Sequence, residues 1–95
     1  MTEDGRRSIT RAQTGVRIED RLLKVLKALA ELHDMSLGDL IEGIALHAIE
    51  GKAPFSKATL EQAATLRRVY GLTLTAEDSH QLVERRTRKK RAVVA

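Results

Sequence analysis

The chain has 95 residues, 42% of them hydrophobic, with one Tyr, one Phe, no Trp and no Cys. A chain of this size makes one small domain that buries only about two thirds of the surface its unfolded form exposes, so its core must be thin and aliphatic. The lack of cysteine excludes disulfides, thiolate chemistry and cysteine-based zinc sites, and the net charge of +4 is unevenly spread.

Residues 1–11, "MTEDGRRSITR", are polar and aperiodic and carry Arg6, Arg7 and Arg11 against Glu3 and Asp4. They read as a flexible basic arm without the apolar stretch of a secretion signal. No apolar run approaches the ~20 residues of a membrane span, so no membrane contact and a cytoplasmic location are expected.

Residues 13–18 then alternate, with Thr14, Val16 and Ile18 on one side and Gln13, Gly15 and Arg17 on the other. That is the period of a half-buried strand, predicted over about 12–18. A single strand needs a neighbour for its backbone donors and acceptors. Either a second copy of the chain supplies it, or "LTLT" at 72–75 does so within the same chain.

"DRLLKVLKALAEL" follows without a break and places Leu22, Val25, Leu26, Leu29 and Leu32 at helical spacing. Asp20 suits either the N-cap or the first turn, and the helix should stop near His33 or Asp34. "SLGDLIEGIALHAIEGK" restarts it with Ser36 as N-cap and Asp39 at the capping-box position. Leu37, Leu40, Ile41, Ile44, Ala45, Ala48 and Ile49 form its apolar side, and Gly51 sits where a C-terminal cap belongs. Both helices are apolar over more than one face, which on a soluble chain marks a partner interface, here a second copy related by a two-fold axis.

After Pro54, "SKATLEQAATLRRVYG" predicts a third helix from the Ser56 cap to the Gly71 stop. "TAED" opens a last one, capped by Thr75 with Asp78 at the box position and running through Leu82 and Val83. Residues 85–95 hold six bases and no acid, a basic tail that attracts phosphate without reading sequence, whereas 12–84 hold eight bases and eleven acids. The expected division is therefore an arm at 1–11, a dimerisation domain at 12–52, a helical extension at 53–84 and the tail at 85–95.

Catalytic and metal-binding patterns are absent. His33, His47 and His80 have no ligand spacing, and no Gly-rich phosphate loop, nucleophile elbow or triad can be found. No enzyme activity, metal or cofactor is expected.

The order of "QTGVRI", "DRLLKVLKALAEL", a turn and "SLGDLIEGIALHAIE" resembles the ribbon-helix-helix family of dimeric DNA-binding proteins over about residues 12–51. The resemblance implies a mainly α homodimer with one short β-strand per chain, the two strands forming an intermolecular antiparallel ribbon, plus a C-terminal helical extension. It implies base contacts from Gln13, Gly15 and Arg17. Arg pairs well with the O6 and N7 of guanine and Gln with the N6 and N7 of adenine, while Gly15 departs from the polar residue usual there. Phosphate contacts would come from the amides of Ser36, Leu37 and Gly38 and from Arg6, Arg7 and Arg11. The implied dimer core is Val16, Ile18, Leu22, Leu26, Leu29, Leu40, Ile41 and Ile44.

The function so implied is sequence-specific binding of double-stranded DNA, as a transcriptional repressor. Phe55 and Tyr70, the only aromatics, are expected to anchor the C-terminal helices on the dimer body. Two other roles fit the same pattern: an antitoxin-type module whose residues 53–84 hold a protein partner, or a plasmid partition or relaxosome accessory protein.

Overall fold

A computed structural model describes residues 6–85. The start of the arm, residues 1–5, and the greater part of the basic tail, 86–95, lie outside the described residues. Three helices follow one another, α1 (Asp20–Leu32), α2 (Leu37–Ile49) and α3 (Lys57–Tyr70), and a single 3-10 turn closes the order at Ala76–Asp78.

Each helix begins on a side-chain cap. The Glu19 carboxylate accepts from the Leu22 amide at 2.8 Å, which leaves Asp20 in the first turn, where its charge faces the positive end of the helix. Ser36 Oγ accepts from the Asp39 amide at 3.0 Å, and Ser56 Oγ accepts from the Thr59 amide at 3.2 Å.

All three helices also end alike, on a left-handed residue that folds the chain back on the last turn. Asp34 (φ 55°), Gly51 (φ 74°) and Gly71 (φ 68°) take that conformation. The following amides then reach three carbonyls back into the helix: Met35 to Ala30 at 3.0 Å, Lys52 to His47 at 2.8 Å, and Leu72 to Arg67 at 2.9 Å. Orphan carbonyls are satisfied this way, and glycine adopts the geometry without steric cost. At Asp34 a short polar side chain takes the place of glycine.

α1 lies between the other two helices and packs on both. The fully buried core is small: Val25, Leu29 and Ala30 of α1, Leu40 of α2, and Leu72 from the loop after α3. Leu26, Ile44, Phe55, Ala63, Leu66 and Leu74 close around it. Side-chain hydrogen bonds fix α3 and its loop on this core. His33 Nε2 meets Gln62 Oε1 at 2.8 Å, Arg21 donates to the Gly71 carbonyl at 2.8 Å, and Arg67 donates to the Leu74 carbonyl at 2.8 Å.

Two expectations are corrected here. The described residues contain no β-strand, so the chain is a mainly α three-helix unit and the ribbon-helix-helix arrangement with its β-ribbon is not found. Residues 6–18 are irregular, and among the described residues no backbone–backbone hydrogen bond joins 7–18 to another segment. Alternation at Thr14, Val16 and Ile18 specifies only which side chains share a side; a strand also needs a hydrogen-bonded neighbour. The internal candidate at 72–75 is no strand either, since Leu72 is drawn into the core and the Leu74 carbonyl is taken by Arg67.

The last helix is the second correction. The Asp78 carboxylate accepts from the Thr75 amide at 2.8 Å, as its spacing predicts, yet only one 3-10 turn forms. Leu82 is 53% exposed and Val83 91% exposed, so the apolar residues that should have propagated the helix have too little cover to do so.

Candidate nucleic-acid interface

The arginines that carry most of the arm's charge stand outside the core. Arg6, Arg7, Arg11 and Arg17 are exposed, as are Gln13 and Gly15. At Gly15 a side chain would meet no atom within 4 Å, so the position is open on all sides.

Two of these arginines are held by carboxylates from distant elements. Arg11 donates from Nε and Nη2 to both oxygens of Glu42, on α2, at 2.7 and 2.8 Å. Arg17 makes the same forked contact with Glu84, Nε reaching Oε1 at 3.0 Å and Nη2 reaching Oε2. Hydrogen bonding, then charge, lifts both guanidinium groups above their ordinary value. Hydrogen bonding by the same arginines holds the Glu42 and Glu84 carboxyls below the usual carboxylate range. Both pairs face water, so solvent screening keeps them weak and exchangeable.

The start of α2 contributes differently. Ser36 is occupied as the cap, Leu37 is half-buried, and Gly38 is exposed. Asp39 in the same turn places a carboxylate beside these amides, which lowers their attraction for an anion.

The residues expected to form a dimer core fall into two groups. Leu29 and Leu40 are buried within the single chain, and Leu26, Ile44 and Ile18 are partly covered. Val16 is 71% exposed, while Leu22 and Ile41 are each 37% exposed. On α2 the outer positions Ile41, Ala45, Ala48 and Ile49 recur at helical spacing, and Ile49 reaches 81% exposure. Leu46, also exposed, widens this apolar face.

Elsewhere the chemistry is already committed. A hollow of about 250 Å³ between Leu22, Leu72, Leu74 and Leu82 includes Arg67 and Asp78 in its wall. Arg67 is engaged by the Leu74 carbonyl and Asp78 by the Thr75 amide. His47 Nδ1 lies 2.7 Å from the Gly43 carbonyl one turn back. Among the described residues no group of three or more metal-binding side chains gathers, and no helix is long and apolar enough to cross a membrane.

Glu42 and Glu84 are the residues that sequence reading missed. Neither has a local signal, because each meets its arginine across a long stretch of chain. Comparison with protein-family models, curated proteins and solved structures found no match to this chain.

Proposed function

We propose that the chain binds double-stranded DNA as a homodimer and regulates transcription, as a repressor that occupies its operator. The observation that carries this is the arm together with the segment after it: four exposed arginines within residues 6–17, a stretch that gives no side chain to the buried core. Such a row of cations neutralises phosphates and displaces their counterions. Arg17 and Gln13 suit the edges of guanine and adenine, which would add sequence preference to general affinity. A second copy would cover the outer face of α2 and double the number of arms on the duplex.

The test is selection from a randomised duplex pool by the purified protein at near-physiological salt, followed by sequencing. Enriched paired half-sites are expected, with Arg17→Ala losing about tenfold or more in preference for them and less on random sequence. Retention that vanishes as salt rises, with no enrichment, would refute sequence reading. Residues 53–84 would then be the segment to examine as a seat for a protein partner, since Leu60 and Val69 on α3 and Leu82 and Val83 beyond it are all exposed.

A further inference from the structure

Arg17 presents to Glu84 the same edge, Nε and Nη2, that would grip a phosphate or the O6 and N7 of guanine. One guanidinium edge cannot serve both. We propose that Glu84 is a built-in anion mimic that masks Arg17 in the free protein and is displaced when polyanion binds. The proposal rests on the DNA-binding function and adds a regulatory contact to it.

The structure around Glu84 suits a mask that lifts. Residues 81–85 form no regular element, and the backbone bond nearest to Glu84 is from the Gln81 amide to the Asp78 carbonyl. Val83 is 91% exposed, and Leu82, which lines the hollow with Leu22, Leu72 and Leu74, is still 53% exposed, so the apolar hold on this C-terminal strap is slight. What ties it to the arm is the ion pair itself. Glu42 is placed otherwise: it stands on α2, a capped helix packed on α1, so its backbone is held on the fold, whereas Glu84 stands on no regular element.

The charge order along the strap matters as well. Glu84 is followed at once by Arg85 and by the remaining bases up to residue 91. A phosphate that displaces the carboxylate therefore meets a segment whose next residues are attracted to it. The acid opposes binding only while it is docked, and the bases beyond it favour binding throughout. Free protein would be restrained from capturing stray polyanions weakly, whereas a duplex that engages several arms at once would open the strap.

Three proteins of full length decide the matter: the wild type, Glu84→Gln, and Glu61→Gln, which removes the same charge from an exposed position on α3. Each is titrated against a fluorescent duplex of random sequence at low salt, alone and with Arg17→Ala added. Glu84→Gln should tighten binding about threefold beyond Glu61→Gln, the scale of an exposed ion pair, and this excess should disappear when Arg17 is absent. Carbon-detected NMR titration of the Glu84 carboxyl gives a readout without DNA, expected to lie below the usual carboxylate range and to return to it in Arg17→Ala.

Equal effects of the two Gln variants, with duplex bound, would overturn the mask and leave the DNA-binding function standing. An ordinary Glu84 titration in the wild type would overturn the mask alone. A low Glu84 titration with no duplex bound by any variant would overturn both.

Discussion

Ile49→Ala separates a covered face on α2 from a merely exposed one. Ile49 is 81% exposed in the single chain, so only about a fifth of its side chain is hidden there. Complete burial of an isoleucine contributes about 1.5–3 kcal/mol, and the hidden fifth is therefore worth about 0.4 kcal/mol. Alanine returns roughly the same amount through its higher helix propensity, so the isolated fold should hardly notice the change. If a second copy covers the remainder, each chain loses about 1.2–2.4 kcal/mol of burial, and a two-fold interface counts the loss twice. The dimer should weaken by about 3 kcal/mol, roughly two orders of magnitude in dissociation constant.

Sedimentation equilibrium over a range of concentrations measures this directly. Thermal melting should show the matching dependence on concentration in the wild type and lose it in the variant. Val69→Ala, at a 66% exposed position on α3, serves as the comparison. Equal dissociation constants for wild type and Ile49→Ala, or an equal weakening by Val69→Ala, would refute the assignment of the α2 face to a second copy.

Two further outcomes concern the single fold. Leu29 is 1% exposed at the centre of a five-residue core, so Leu29→Ala should cost about 2–5 kcal/mol, read as a lower urea midpoint by far-UV circular dichroism. A loss under about 1 kcal/mol would mean that the core collapses around the gap or is not there. Gly71→Ala should cost about 1 kcal/mol through backbone strain alone, because φ is 68° and an added Cβ meets nothing within 4 Å. Urea unfolding checks this, and an unchanged midpoint would show that the left-handed turn is not kept in solution.

Much of the fold is legible in the sequence because caps and stops act over a few residues. Ser36, Ser56 and Gly71 mark their helix ends correctly, and α1 ends at Leu32 with His33 as its cap, within a residue or two of the stop expected near His33 or Asp34. The exchange of Asp20 for Glu19 as cap is a shift of one position between two acids, either of which suits the first amides. Legibility fails where a residue's partner is far away. Alternation in 13–18 identifies side chains that share a side and says nothing of whether a neighbouring strand exists. Thr75 and Asp78 make the local contact their spacing foretells, but a helix continues only where its apolar face is covered, and Leu82 is only half covered and Val83 hardly at all.

The candidate interface divides in the same way. The exposure of Arg6, Arg7, Arg11 and Arg17 follows from composition, since nothing in their segment is apolar enough to bury them. Their pairing with Glu42 and Glu84 depends on how α2 and the C-terminal strap return to the arm. No spacing rule spans such a distance.

The contribution of Leu72 to the core bears on the order in which the protein comes into being. α1 and α2 are complete early in synthesis, yet one of the five buried core residues, Leu72, comes from the loop after α3. On a ribosome adding about 5–20 residues per second, several seconds separate the emergence of Leu29 from that of Leu72. During that interval the nascent chain presents an unfinished hydrophobic seam to chaperones and proteases. A premature stop just before Leu72 would yield a chain with three capped helices whose seam never closes.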